Sequence, residues 1–321
     1  MQAYILKRIL LFIPTILLVT VMVFVLLRIV PGDPALLILQ GDDENTIETF
    51  TQQELSALRA ELGTDRNIIV QYGDWMSGML RADFGTSLFN QKAVWPQLQR
   101  RIPITLELSL MSILISSTVA IPLGAISAIR QDTWGDYAAR VISLIGLATP
   151  NFWVAVMTIM FLVIVFNWFP PLGYENVWVD PGTNLSQLIW PALALGTSGM
   201  AFQARVTRSS MLEILHEDYV RTARAKGLGE RVVVTRHALR NALLPVVTLI
   251  GLSVGGAISG SVIIETIFLV PGMGRYLIVA INNRDYPITQ AIVVLFAVMV
   301  LMANLVTDIA YAWLDPRIRY A

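Results

Sequence analysis

An apolar run of 19 residues near the start, "ILLFIPTILLVTVMVFVLL" at positions 9–27, constrains this chain more than any other feature. As a helix with about 1.5 Å of rise per residue, it spans roughly 28 Å, close to the hydrocarbon thickness of a bilayer. The 321-residue chain is 55% hydrophobic and 14% charged, with a mean hydropathy of +0.63. This balance is typical of an integral membrane protein and not of a soluble globule.

Apolar runs of similar length recur along the chain and predict six membrane spans. The predicted spans are 9–30, 104–129, 141–168, 187–206, 243–268 and 288–314. Pro122, Pro150 and Pro191 interrupt three of them, which a membrane helix tolerates when neighbouring groups satisfy the freed backbone. The first run is longer than the apolar part of a signal peptide, and no small-x-small cleavage site follows it. We therefore expect an uncleaved first span.

The basic residues predict the orientation of these spans. With both termini on one side, 14 lysines and arginines lie on that side, and only Arg275 and Arg284 lie in the short loops opposite. The positive-inside rule then places both termini in the cytoplasm and the segment 31–101 outside. A cysteine at Ser87 is expected to react with an impermeant reagent from outside the cell, and one at Arg231 is not.

The external segment carries two predicted helices. "TQQELSALRAELG" begins with a capping box of Thr51 and Glu54 and meets a stop at Gly63. "IIVQYGDWMSGML" places apolar side chains on one helical face, namely Ile68, Tyr72, Trp75, Met76 and Met79. Packing on the ends of the spans is favoured for this face, and contact with an external partner is the alternative.

Enzymatic chemistry finds little support in the sequence. No lysine stands between a Gly and a Ser or Thr, as it does in a P-loop, so the chain has no P-loop for ATP. The chain also has no cysteine. The strings "GTSG" and "GLSVG" resemble hydrolase motifs, but Ser253 is roughly 24 Å along a helix from His237. A general base must lie within about 3 Å of its nucleophile, so an intramembrane serine hydrolase is the weakest alternative. Two isolated histidines also make a metal site improbable.

Small residues four apart mark one face of the fifth span: Gly251, Gly255, Gly256 and Gly260. Such spacing lets helix backbones approach closely, and it predicts a packing seam or a face that lines a substrate path. Glu107, Glu265 and Asp308 are ionisable residues within two turns of a span end. We expect structural pairing for these three residues. A proton relay, as in an ion-coupled transporter that acts alone, remains the alternative.

The arginine-rich loop 207–242 has a helical pattern of its own. Met211, Leu215 and Tyr219 recur at helical spacing within a helix predicted from Ser209 to Lys226, and Gly227 stands at its C-terminal stop. A second helix is predicted from Glu230 to Asn241. From composition alone, this loop is a basic surface that lies on anionic lipid.

The loop "YVRTARAKGLGERVVVTRHALRNALLP" resembles the coupling loop of the permease subunits of ATP-binding-cassette importers, in the branch that carries peptides, nickel and opines. "RIVPGDPA" (28–35), "RRIPITLELSL" (100–110), "ETIFLVPGMGR" (265–275) and "DPRIR" (315–319) resemble that branch in the same order. The chain departs from the wider importer pattern at Arg221 and Thr222, where Glu and Ala are common. A longer stretch also separates Gly227 from the Leu-Pro pair at 244–245.

The resemblance implies an all-α, type I importer permease with six transmembrane helices. A first helix (1–30), a helical extracytoplasmic insertion (31–101) and a five-helix core (102–321) would divide the chain. The residues implied in docking to an ATPase subunit are Tyr219, Arg221, Thr222, Ala223, Arg224, Ala225, Lys226, Gly227 and Leu228. Contact with a solute-binding protein is implied for Trp75, Met79, Pro271, Gly272, Gly274 and Arg275.

The implied function is that of a non-catalytic permease subunit in the cytoplasmic (inner) membrane of a prokaryote. The chain itself would hold no cofactor, because ATP and Mg²⁺ would bind to two separate ATPase subunits. The other implied partners are a second permease, a solute-binding protein and membrane lipid, and no nucleic acid. Peptide is the favoured substrate by general likeness, with nickel, opines and glutathione as alternatives.

Overall fold

A computed structural model describes residues 2–29, 35, 39, 51–61, 65–171 and 173–314. The described residues are almost entirely helical, with one isolated antiparallel bridge between Thr86 and Ala93. The all-α prediction is therefore confirmed. The stop expected at Gly63, the string at 315–319 and most of the string at 28–35 lie outside the described residues.

The α-helices are labelled in chain order. They are α1 Gln2–Ile29, α2 Gln52–Glu61, α3 Ile68–Leu80, α4 Val94–Gln99, α5 Ile102–Ile129, α6 Trp134–Ala148, α7 Asn151–Phe166, α8 Pro181–Leu215, α9 Asp218–Ala225, α10 Arg240–Ile267, α11 Met273–Asn282 and α12 Tyr286–Leu314. A helical turn, Glu230–Val232, and a π-helical stretch, Val233–Leu239, lead directly into α10. The predicted helix Glu230–Asn241 and the fifth span therefore form one continuous helical segment.

Among the described residues, four helical segments are long and apolar enough to cross a membrane. They are Arg8–Leu26, Val94–Ile129, Glu230–Ile267 and Tyr286–Ile309, and the pair α6 and α7 adds a fifth if the two helices form one span. The predicted count of six stays a prediction. Helix α8 has 35 residues but is less apolar, and it buries Asn184, Gln187 and Gln203 against its neighbours. A helix enclosed by other helices needs no apolar face toward lipid.

The span expected at 141–168 is not one helix. Helices α6 and α7 meet at 106°, with the break at Thr149 and Pro150. Proline disfavours the helical conformation of the preceding residue, and Thr149 accordingly has an extended backbone at ψ 125°. The proline that was expected to be tolerated inside a helix ends it instead.

Helices α5 and α8 run parallel and in close contact at the centre of the protein. A Cβ at Gly124 would overlap the backbone of Ala204 and the side chain of Thr207, and one at Gly196 would overlap Ser116. The Ser116 hydroxyl donates to the Gly196 carbonyl at 2.9 Å. Glycine is required at both positions because the two backbones approach too closely for a side chain.

The small residues of α10 lie in a second close contact, with one exception. A Cβ at Gly251 would overlap the side chain of Thr307 in α12, and one at Gly255 would lie 3.1 Å from Val300. Gly260 approaches Leu195 of α8 in the same way, at 3.1 Å. A Cβ at Gly256 would meet nothing within 4 Å among the described residues, so the packing contact expected there is not found. Gly256 lies about 100° around the helix from Gly255, beyond the reach of α12.

The start of α1 and the end of α12 lie at the same end of the helix bundle. Arg8, near the start of α1, forms an ion pair of 2.8 Å with Asp308, near the end of α12. Gly251 and Thr307 place the first half of α10 beside that part of α12. The start of α1, the end of α12 and the loop that precedes α10 are therefore neighbours.

The three ionisable residues near span ends all have protein partners, as predicted. Asp308 pairs with Arg8, and Glu107 accepts a hydrogen bond from the Tyr174 hydroxyl. Glu265 accepts a hydrogen bond of 2.7 Å from the Thr105 hydroxyl. These contacts support structural pairing over a proton relay.

Helices α2 and α3 belong to the segment 31–101, which is expected to lie outside the cell. The capping box of α2 is confirmed, because the Thr51 amide donates to Glu54 at 2.8 Å. The amide and hydroxyl of Thr51 hold the pKa of Glu54 below its usual value. Helix α3 packs on α1, where the Tyr72 hydroxyl lies 2.9 Å from that of Thr20 and the Tyr72 ring lies 5.3 Å from Phe24. The favoured packing role of this face is confirmed.

The two glycines of α10 provide a matched test of its packing. We expect Gly251→Ala to destabilise the protein by about 1–3 kcal/mol, because α10 and α12 must move apart to admit the methyl group. Gly256→Ala has open space around it and removes a flexible residue from a helix, so it is expected to be neutral or to stabilise by up to about 1 kcal/mol. Thermal unfolding of the purified chain in detergent measures both changes. Equal melting temperatures for the two variants would contradict the close contact.

Candidate functional site

Helix α9 is a short amphipathic helix that lies at the end of the bundle where α1 begins and α12 ends. Val220 and Ala223 on its inner face are buried against Val233 of the π-helical stretch and Ile214 of α8. These four side chains form a small apolar cluster that anchors α9 to the rest of the protein. The position of α9 therefore depends on the ends of two long helices.

Most residues expected to dock to an ATPase lie on the exposed side of α9 and in the turn after it. The exposed residues of the expected set are Tyr219, Arg221, Thr222, Arg224, Ala225, Lys226, Gly227 and Leu228. Ala223 does not belong with them, because it is only 5% exposed and faces the apolar cluster. The helical period explains this correction, since residues 220 and 223 are three apart and share the inner face.

Two polar contacts fix the orientation of the exposed face. The Tyr219 hydroxyl accepts a hydrogen bond of 2.8 Å from the Asn241 side chain at the start of α10. Arg224 binds the Glu230 carboxylate with two nitrogens, at 2.9 and 3.2 Å, and donates to the Leu215 carbonyl at 3.4 Å. Arg224 therefore braces the loop. Arg221 lies 3.6 Å from the exposed Asp218, which leaves Lys226 as the most available of the three cations.

Helix α9 ends in a left-handed turn at Gly227. The Gly227 amide donates to the Arg224 carbonyl at 2.9 Å and the Leu228 amide to the Ala223 carbonyl at 3.4 Å, the bond pattern of a Schellman motif. Gly227 has φ +76°, and a Cβ at this position would meet nothing within 4 Å. Glycine is needed here for its backbone conformation and not for space.

The boundaries of α9 differ from the predicted ones. The helix expected from Ser209 to Lys226 is divided at His216 and Glu217, where α8 ends and the chain turns before α9 begins. Glu217 has an extended backbone (φ −67°, ψ 145°) as the N-cap of α9. This break frees α9 from the line of α8, so that it projects as a separate short helix.

Three of the residues that hold this surface were not predicted from the sequence. Asn241, Glu230 and Val233 contact α9 from the segment that follows it, across the turn at Gly227. The sequence pattern predicted a second helix there, but the π-helical stretch changes which side chains face α9. A π-helix has more residues per turn than an α-helix, so α-helical spacing does not predict its faces.

At the opposite end of the bundle, a buried carboxylate organises the loop between α10 and α11. Glu265 is 0% exposed and accepts hydrogen bonds from the Thr105 hydroxyl at 2.7 Å and the Arg275 amide at 3.0 Å. The same Thr105 oxygen accepts from the Met273 amide at 2.8 Å. Glu265 and Thr105 thus cap the start of α11 and fasten it to α5.

Two glycines expected to contact a solute-binding protein belong to this buried network. Gly272 and Gly274 are both buried. A Cβ at Gly272 would lie 2.5 Å from the Glu265 carboxyl carbon, and one at Gly274 would lie 2.5 Å from the Val262 backbone. Their role is to let the loop close over Glu265, so the expected contact is wrong for them. Pro271 and Arg275 are partly exposed and remain available.

The residues expected to contact an external protein on α3 are partly buried. Trp75 packs on Phe24 of α1, with ring centres 5.6 Å apart, and Met79 is also half-buried. Ile68 and Val70 of α3 are about half-exposed, and the most exposed apolar side chains of this helix are Ile69 and Leu80, at 76% and 82%. Within the described residues, no group of three or more acidic, histidine or cysteine side chains is arranged to hold a metal ion.

Two family models match this chain. Residues 120–320 match the binding-protein-dependent transport system inner membrane component, and residues 1–109 match the N-terminal part of the membrane component of such systems. The boundary between the two matches falls within α5.

Curated relatives are similar over their whole length. The oligopeptide transport system permease protein AppB of Bacillus subtilis (strain 168) is 41% identical over 100% of both chains. The dipeptide transport system permease protein DppB of Escherichia coli (strain K12) is 38% identical over 100% of this chain and 99% of the relative.

Solved structures share the fold at low identity. Inward-facing structures of the MetNI methionine ABC transporter include a chain that is 17% identical, with a TM-score of 0.54, over 68% of this chain and 96% of that one. A crystal structure of an amino acid ABC transporter with histidines includes a chain that is 16% identical to this one, with a TM-score of 0.50, over 67% of this chain and 93% of that one.

Proposed function

Because the chain belongs to the family of binding-protein-dependent transport system inner membrane components, we propose that it is the permease subunit of an ATP-driven peptide importer. The chain is a multi-pass membrane protein, and its role in this proposal is to form part of the transport path and not to catalyse a reaction. The observation that carries the proposal is α9, a helix braced at the end of the bundle with an exposed, basic face.

The substrate class comes from the relatives. AppB and DppB are named as permeases for oligopeptides and dipeptides, and both align with this chain over its full length. We propose peptides as the substrate on this ground, with nickel, opines and glutathione as the alternatives. In this proposal the membrane is the cytoplasmic (inner) membrane of a prokaryote, with both termini in the cytoplasm.

The mechanism that we propose uses α9 as the mechanical link to ATP. ATP and Mg²⁺ would bind to two separate ATPase subunits, and each permease would seat one α9 helix on one ATPase. The apolar cluster of Val220, Ala223 and Val233 joins α9 to α8 and to the segment that continues into α10. A movement of α9 would therefore pass into two helices that cross the protein, and alternating access would follow from it.

The other partners follow from the same arrangement. One α9 helix per chain requires a second permease to serve two ATPases, and a solute-binding protein would deliver substrate to the end that carries α3 and α11. The partly exposed Pro271 and Arg275 and the exposed Ile69 and Leu80 are the residues that we assign to that contact. An ion-coupled carrier that acts alone is disfavoured because Glu107, Glu265 and Asp308 are all engaged by protein groups.

Gly227 provides the test of this function. Valine at a left-handed position is strained by roughly 1–2 kcal/mol or more, so Gly227→Val should disturb the end of α9 without changing the buried spans. We expect the assembled complex to keep its ATPase subunits and to lose most of the ATP-driven peptide uptake in vesicles. Uptake at the wild-type level by an assembled Gly227→Val complex would contradict the role of this turn.

Two control variants separate backbone strain from bulk. Gly229 has φ −60°, which valine can adopt, and a Cβ there would meet nothing within 4 Å in the described part of the chain, so Gly229→Val adds the same side chain without the strain of a left-handed backbone. Asparagine tolerates the left-handed conformation, so Gly227→Asn should keep more uptake than Gly227→Val. Equal losses in Gly227→Val and Gly229→Val would show that bulk, and not the turn, matters.

The orientation is tested by labelling single cysteines in this cysteine-free chain. Ser87 is unsuitable as the external site, because it is 0% exposed and its hydroxyl donates to the buried Asp285. Lys92 is exposed on the same segment, and Arg231 is exposed near α9. An impermeant thiol reagent should label Lys92→Cys in intact cells and should label Arg231→Cys only after the cells are opened. The reverse pattern would overturn the proposed orientation.

A further inference from the structure

A cavity of about 400 Å³ lies between α5, α6 and α8, away from α9 and from the Glu265 network. This volume is within the range of ligand pockets, roughly 300–1,000 Å³. Three small residues, Gly124, Ala139 and Ala204, are among those that line it. The transport function proposed above makes no use of this cavity.

The lining of the cavity is apolar on one part and strongly basic on another. Leu123, Leu144 and Leu147 supply the apolar part, and Leu123 and Leu144 are exposed at 36% and 64%. The basic part has three arginines: Arg140, Arg205 and Arg208. The exposed leucines indicate that the cavity opens to the surroundings of the helix bundle, which in a membrane are lipid.

One buried carboxylate faces these arginines. Asp136 is 0% exposed and binds Arg208 with two bonds, at 2.7 and 2.8 Å. Arg140 lies at 3.5 Å from the same carboxylate and stacks over the Tyr137 ring at 4.3 Å. The exposed carboxylate of Asp132 also attracts the positive charge of Arg208. Asp136 thus neutralises the charge of Arg208, and Arg140 interacts with the same carboxylate at a longer distance.

Of the three arginines, Arg205 is the one whose charge is least neutralised by protein groups. The side chain of Arg205 is exposed. Arg205 lies three residues before Arg208, which places it about one helical turn, roughly 4.5 Å, further into the bundle. It forms no ion pair with any residue that the structure describes. An unpaired cation at the edge of the hydrocarbon region is costly, and an anion beside it reduces the cost.

Aromatic residues place this basic group at the membrane surface. Trp134 and Tyr137, in the first turn of α6, are 90% and 48% exposed. Tryptophan and tyrosine collect at the level of the lipid headgroups, so the arginines of the cavity lie at or just below that level. A phosphate there would be within reach of Arg140 and Arg205.

We propose that this cavity binds an anionic phospholipid, with its phosphate between Arg140 and Arg205 and an acyl chain along Leu123, Leu144 and Leu147. The combination of apolar walls and a basic rim matches the two parts of such a lipid. A soluble anion would use the arginines only, and a zwitterionic lipid would bring a positive group toward them. Basic pockets between membrane helices are known as a general type of headgroup site.

The test uses the purified full-length chain in a mild detergent. The chain is titrated with phosphatidylglycerol or with phosphatidylcholine of the same acyl chains, and native mass spectrometry counts the lipids retained. We expect phosphatidylglycerol to be retained and phosphatidylcholine to be lost. Each arginine near the surface contributes about a fivefold effect, so Arg140→Gln with Arg205→Gln should weaken retention by about 25-fold. Arg208 is left unchanged because its loss would leave Asp136 unpaired.

Two further variants make the result specific to the cavity. Arg231→Gln with Arg236→Gln removes the same charge from exposed positions outside the cavity and should change retention by less than about twofold. Ala139→Leu fills the cavity and keeps every charge, so it should also abolish retention. Unchanged retention in Ala139→Leu or in the Arg140 and Arg205 variant would overturn the proposal. Equal binding of both lipids, or displacement of the lipid by inorganic phosphate alone, would overturn it too.

Discussion

The close contact between α5 and α8 is the constraint on which the rest of the structure depends. Backbone groups inside a membrane must be satisfied within helices, and two helices with no water between them are held by packing and a few hydrogen bonds. Gly124 and Gly196 allow that packing, and Ser116 adds a hydrogen bond across it. Further along α8, Arg208 forms an ion pair with the buried Asp136 of α6.

This contact sets the position of both candidate sites. Because α8 is fixed against α5, its last residues hold Ile214 where α9 can pack on it. Because α5 is fixed against α8, Thr105 at its other end meets Glu265 and the start of α11. One packed pair of helices thus links the surface assigned to an ATPase with the loop assigned to a binding protein.

The sequence predicted the helices of this protein better than the turns and breaks between them. The capping box at Thr51 and the stop at Gly227 are local features, and both were found in the structure. The break at Pro150, the turn at Glu217 and the π-helical stretch before α10 were not predicted. Proline ends some membrane helices and is tolerated in others, and α-helical spacing does not predict a π-helical stretch. The burial of Ala223, Gly272 and Gly274 could not be predicted either, because it requires knowing which face of each segment meets the core.

Cross-linking from the exposed face of α9 tests the central claim most directly. A cysteine at Thr222, which is exposed, would carry a photoactivatable cross-linker in the assembled transport complex, and a cysteine at Lys92 would serve as the control at the opposite end. The account predicts that Thr222→Cys yields a cross-link to an ATP-binding subunit and that Lys92→Cys does not. A complex that hydrolyses ATP and imports peptide, yet gives no ATPase cross-link from Thr222, would contradict it.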